Sequence, residues 1–283
     1  MRPEKFILGW RESALFLILF YVLLIFAIPN RSVDSWGLFN FYKIGLLFWA
    51  LCLIQFLSTL ILKKIGPRMG SFIGGFFAGL VSSTALTVSA CRLSKSHPEL
   101  SRMGAISLVA GMTAMLIEGL FICFMISPII GFSILPAMGA MLTLCLFAGF
   151  ILILKGKSHY EIPQEEKPLD LISMLKLTIV LIAMIAAVGF GKIYFGQSGV
   201  TVLTALASMF ELHAVLGANL QLFISGSLTQ SEVQPLLLVG IASASLSKLL
   251  IVHFMGSKKM LYLSGFIVGL MPLLGALIYI LGL

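Results

Sequence analysis

Residues 70–89 read Gly70-Ser-Phe-Ile-Gly-Gly-Phe-Phe-Ala-Gly-Leu-Val-Ser-Ser-Thr-Ala-Leu-Thr-Val-Ser89. Glycines come first in this apolar run, and the hydroxyls of Ser82, Ser83, Thr84, Thr87 and Ser89 follow. Irregular backbone at membrane depth is tolerated only where protein or a water-filled cavity satisfies its amides and carbonyls. The run therefore suits a re-entrant segment, with glycines permitting the turn and hydroxyls forming a polar tip. The alternative is an ordinary helix in which Gly74, Gly75 and Gly79 form a packing seam and the hydroxyls bond back to their own turns. The rest of the chain decides between them.

Of 283 residues, 59% are hydrophobic and 11% charged, against about 25% charged in a soluble domain. Mean hydropathy is +1.09. A water-soluble enzyme is excluded. The net charge of +8 sits in short loops between apolar runs, which is how membrane proteins fix orientation and requires no nucleic acid. Cys52, Cys91, Cys123 and Cys145 show no paired spacing, so neither a disulfide framework nor a zinc site is expected.

Nine apolar runs follow one another: Ser13 to Pro29, then about 40–62, 70–92, 103–127, 129–154, 170–191, 198–225, 233–255 and 260–282. The first is read as a retained helix. The one long polar loop divides the chain into an N-terminal helix and loop (1–38), a first repeat (39–154), a cytoplasmic linker (155–169) and a second repeat (170–283). The halves align at offsets of 129–130, with Ala114 over Ala244, Leu120 over Leu250, and Gly79–Ala85 over Ser208–Ala214. Internal repeats of this kind are common in transporter folds.

Charge settles the topology. If all nine runs cross, the loop cations divide nine against nine. If 70–92 and 198–225 enter and leave on one side, the split becomes fifteen against three, with only Arg31, Lys43 and Lys192 on the minority side. The positive-inside rule favours the second arrangement. The fold class expected is all-α and polytopic, with about seven spanning helices and two re-entrant segments in an inverted repeat. The N-terminus and the 155–169 loop are then cytoplasmic, at the inner (cytoplasmic) cell membrane.

The second re-entrant run carries Glu211 and His213 at the place of the first run's hydroxyls. Ionisable residues inside a membrane are costly and by default mark ion paths or relays. Two residues apart, these two share a ligand only if the tip is unwound. Otherwise Glu211 sits at a hydrated mouth or accepts from helix N-terminal amides. Glu118 and Lys248 occupy corresponding positions of the two repeats and are expected to pair as a structural ion pair, although Lys248 could instead snorkel to the basic side.

Gly66-Pro-Arg-Met-Gly70, Gly79-Leu-Val-Ser-Ser-Thr-Ala-Leu-Thr87 and Ser245-Leu-Ser-Lys248 resemble the C-terminal membrane domain of MgtC/SapB-type proteins, an uncharacterised family. The short N-terminal MgtC domain that often precedes it has no counterpart here, so the association with magnesium homeostasis carries over weakly. The resemblance implies paired aspartates at the positions of Glu211 and His213 and an arginine at Glu118. This chain departs at all three and keeps Lys248.

The expected function is secondary transport of an ion or small charged solute at a midplane site. Ser82, Ser83, Thr84 and Thr87 would face Glu211 and His213 there. A membrane scaffold or regulator binding another membrane protein is the alternative. No enzymatic activity is expected, because no activated nucleophile with a nearby base is evident. No cofactor is expected, and no metal is assigned. The expected partners are the lipid bilayer and the solute, with a homo-oligomer as a further candidate and no nucleic acid.

Overall fold

The structure is a computed structural model, and it describes residues 7–34, 39–65, 71–154 and 169–282. The Gly66–Gly70 motif and nearly all of the expected linker lie outside the described residues. In chain order the elements are β1 (Ile7–Leu8), α1 (Trp10–Ala27), α2 (Phe41–Ile65), α3 (Ser71–Ser96), α4 (Ser101–Ile126), α5 (Pro128–Leu154), β2 (Leu169–Asp170), α6 (Leu171–Ser208), α7 (Leu212–Ile224), α8 (Gln230–Met255) and α9 (Lys258–Ile280). The protein is an all-α polytopic membrane protein. Among the described residues, the one strand pairing is a two-residue clasp in which Ile7 lies opposite Asp170 and Leu8 opposite Leu169.

Local chemistry starts and joins the helices. Pro128 opens α5 at a position where a missing N–H costs nothing. Thr229 and Glu232 form a capping box at α8, with Thr229 N donating to Glu232 Oε2 at 2.7 Å. The Ser257 hydroxyl caps α9 by accepting from Met260 N at 3.1 Å. Trp49 Nε1 donates to Leu17 O at 3.0 Å and ties α2 to α1. Helix α4 is apolar on every side and buried along most of its length, so it forms the centre of the bundle. All four cysteines are buried free thiols.

Among the described residues, seven helices are long and apolar enough to cross a bilayer, and α3 is one of them. Its contacts show that it turns back on itself. A Cβ on Gly75 would lie 2.8 Å from Ser107 Cα, and one on Gly79 2.6 Å from Gly111 Cα, so segment 71–81 runs alongside α4 in the same direction. Ser82 is extended (φ −166°, ψ 102°) and breaks the helix. Beyond it, Leu86 packs on Gly111 and the Ala90 carbonyl on Gly104, so 83–96 returns antiparallel to α4. The segment is a hairpin. Its glycines form the packing seam as well, so the two readings of the run are compatible.

The second hairpin is built differently. Gly196 (φ 61°, ψ −148°) holds a backbone conformation almost reserved for glycine and folds α6 back on itself. Gly191 then faces Gly199 and Leu203. Segment 197–208 runs inward, the chain breaks at Glu211 (φ −145°, ψ 97°), and α7 runs out again. Thr204 and Asn219 clasp its two arms, with Thr204 Oγ1 donating to Asn219 Oδ1 at 3.2 Å and Asn219 Nδ2 to Thr204 Oγ1 at 3.1 Å.

The hairpins open to opposite faces. Lys192 Nζ reaches Gln197 Oε1 and Glu232 Oε1, each at 3.2 Å, so the second hairpin opens where α8 begins. Ser101 and Ser257 share a hydrogen bond of 2.8 Å, and Ser257 N donates to Ser94 Oγ at 3.1 Å. The first hairpin therefore opens where α8 ends. That face carries Arg92, Lys95, Arg102, Lys258 and Lys259. Helix α3 packs against α8 and α7 against α4, so each hairpin rests on the other half of the chain.

Candidate functional site

The two breaks are equivalent. Ser82 and Glu211 stand 129 positions apart, the offset of the sequence repeat, and both are extended residues between two helical arms. At each tip one helix ends and another begins. Ser82 Oγ accepts from Ala85 N at 3.2 Å and caps the outgoing arm of the first tip. Glu211 holds the corresponding cap position at the start of α7.

Between the tips lies a cavity of about 100 Å³. The first tip contributes Ser82, Ser83 and Thr84, the second Glu211 and His213, α4 Glu118 and α8 Lys248. Thr87 does not reach it: its side chain is buried and its hydroxyl donates to Ser83 O at 2.7 Å. Gln55 of α2 and Ser208 of α6 also line the cavity, and neither was singled out from sequence. Ser208 is 1% exposed, and its hydroxyl has no hydrogen-bond partner among the described residues. Its sequence signal was its place at the head of the aligned segment Ser208–Ala214. Gln55 was legible only as a lone amide in an apolar run.

His213 sits between two carboxylates. Its Nε2 lies 3.5 Å from Glu118 Oε2 and its Nδ1 3.7 Å from Glu211 Oε1. Nε2 also lies 3.4 Å from Met115 O. The unwound tip is what lets residues two apart share one cavity, as the sequence required. The expected Glu118–Lys248 ion pair is corrected. Glu118 meets His213 instead, and Lys248 Nζ donates to Ala244 O at 3.4 Å in its own helix.

Inverted symmetry explains the correction. Glu118 lies eight residues from the end of α4 and Lys248 seven from the end of α8, and these helices run in opposite directions. At 1.5 Å per residue the two backbone positions are displaced from mid-helix in opposite senses, roughly 15 Å apart along the helix axes. Both remain buried, at 5% and 4% exposure, and reach the cavity from different depths. No group of three or more histidine, cysteine or acidic side chains among the described residues is arranged to hold a metal ion.

The long apolar helices, with two hairpins that open to opposite faces around a buried charged cavity, define a multi-pass membrane protein. The chain belongs to the family described as Domain of unknown function (DUF4010), whose model matches residues 50–256. That span holds both tips, Glu118 and Lys248. Neither the curated proteins nor the solved structures contain a match.

Proposed function

We propose that the protein is a secondary transporter or permease for an ion or small charged solute, bound between the two hairpin tips. One observation carries this reading: matching helix breaks at Ser82 and Glu211, on hairpins opening to opposite faces, meet around one charged cavity. Broken helices at a repeat interface supply backbone donors and acceptors at membrane depth without a lipid-exposed edge. A scaffold has no need of Glu118, His213, Glu211 and Lys248 converging there, since each ionisable group in a membrane is costly.

The basic face is cytoplasmic on this reading, with the N-terminus on that side of the inner membrane. The kinship to the C-terminal membrane domain of MgtC/SapB-type proteins belongs to the proposal too. It rests on the Gly79–Thr87 block and on Lys248, and it brings no substrate with it.

Flux of a panel of monovalent cations, divalent cations and small anions into proteoliposomes tests the proposal. At least one solute should enter faster than into empty liposomes. Glu211→Gln should reduce its rate at least tenfold in protein that still folds. Rates equal to those of empty liposomes for every solute would overturn the reading in favour of a scaffold.

A further inference from the structure

The basic face carries a second cavity, away from the hairpin tips. A cleft of about 280 Å³ opens where the outgoing arm of the first hairpin meets the end of α8. Arg92, Lys95 and Ser96 line it from α3, and Phe254 and Met255 from α8. The three α3 residues are exposed, and so is Phe254, at 72%. No salt bridge among the described residues engages Arg92 or Lys95. Glu99, the acid nearest to them in sequence, lies 3.3 Å from His97 Nδ1 and does not line the cleft. Membrane orientation accounts for cations on this face. It does not account for their convergence on a cleft with an aromatic wall. Two cations and a hydroxyl suit a phosphate group, and the absence of an acid from the lining leaves nothing to receive an ammonium.

An apolar groove continues from the cleft into the membrane. It runs between α8 and α9, has a volume of about 800 Å³, and is lined by Leu249, Leu250, Leu261 and Phe266 among others. Leu250 stands one turn before Phe254 on α8, so the two share a helix face and join the groove to the cleft. Leu250, Phe254 and Phe266 are all exposed. Helix α8 ends and α9 begins at the basic face, which sets the order in depth. By helix rise, Leu250 lies about 6 Å below Phe254, and Phe266 about 12 Å below Lys258. A headgroup held in the cleft therefore directs an acyl chain into the groove.

We infer that cleft and groove together bind one anionic glycerophospholipid. Its phosphate sits between Arg92 and Lys95, and one acyl chain passes over Phe254 and Leu250 into the groove. Basic pockets between membrane helices on the cytoplasmic side are where such headgroups are held. The bound lipid braces the first hairpin, because Arg92 and Lys95 belong to its outgoing arm while Phe254 and Leu250 belong to the other half of the chain. Nothing in this assignment depends on transport.

Native mass spectrometry tests the site, on full-length protein released from micelles doped equally with dioleoyl-phosphatidylglycerol and dioleoyl-phosphatidylcholine. One phosphatidylglycerol should stay bound, at least fivefold more abundant than phosphatidylcholine. Arg92→Gln with Lys95→Gln should reduce that adduct at least fivefold, and Phe254→Ala at least twofold. Lys258→Gln with Lys259→Gln removes the same charge from the same face, outside both cleft and groove, and should leave the adduct unchanged. Should the cleft variants fail to fold, the wild type still decides. Phosphatidylglycerol should raise its melting temperature by several degrees more than phosphatidylcholine does, and inorganic phosphate should neither reproduce nor block that shift. Equal retention or equal stabilisation by the two lipids, or equal loss in the two double variants, would reduce the site to general surface charge and overturn it. A shift reproduced or blocked by inorganic phosphate would make the occupant a free anion and overturn the lipid assignment. Flux is not the readout, so failure here leaves the transport proposal standing.

Discussion

His213 draws its meaning from two carboxylates that the chain delivers by different routes. Glu211 is its near neighbour across an unwound tip, and Glu118 comes from a helix that begins more than a hundred residues earlier. Breaking a buried charged pair from one side costs about 3–5 kcal/mol, because the other group keeps its desolvation penalty. Glu118→Gln and His213→Gln should each destabilise the protein in thermal unfolding. Their double mutant should fall short of additivity by about 1–3 kcal/mol. The charge exchange Glu118→Lys with Lys248→Glu should recover little, since the two side chains answer to different partners. Full recovery would restore the direct pair. A second residue-scale test uses the seam: Gly79→Ala puts a methyl 2.6 Å from the Gly111 backbone, which cannot yield as a side chain would. The expected cost is about 1–3 kcal/mol of stability, read from the melting temperature.

At the scale of elements, the hairpins separate what composition can see from what it cannot. By length and hydropathy α3 is a spanning helix, and only the count of loop cations identified it as one that turns back. The contacts with α4 bear that reading out. Single cysteines at Lys64 and Ser96 should label from one side of the membrane, and cysteines at Gln197 and Thr229 from the other. Labelling of either pair from both sides would overturn the hairpin it brackets. The break positions were legible because the repeat offset superposes Ser82 on Glu211. The clasp between Thr204 and Asn219 was not, since it depends on two antiparallel arms crossing at heights no sequence period reveals. Thr87 was misread for a related reason. Grouping hydroxyls by closeness in sequence ignores that the outgoing arm is helical, which turns Thr87 onto its own helix and away from the cavity.

For the whole molecule, the inverted repeat was readable as an alignment but its consequence for depth was not. Equivalent residues in opposed halves share a level only at the centre of the membrane, so aligning Glu118 with Lys248 placed them in symmetry without placing them in contact. The repeat offset locates the tips, because Ser82 and Glu211 both end near the middle. The same offset does not locate touching side chains. Ser208 was passed over because a serine within an apolar helix is usually satisfied by its own preceding turns, and here its hydroxyl is not.

Cross-packing of each hairpin on the opposite half has one more consequence, for how unlike the two halves can become. Two identical halves facing each other would present two hydroxyl tips, with no charge between them, or two carboxylate tips crowded into one small chamber. Joining the halves in a single chain removes that constraint, because each tip then occurs once per molecule. One can stay neutral at Ser82 while its counterpart bears the charge at Glu211. The twofold plan of the backbone is kept while the chemistry at its centre is one-sided.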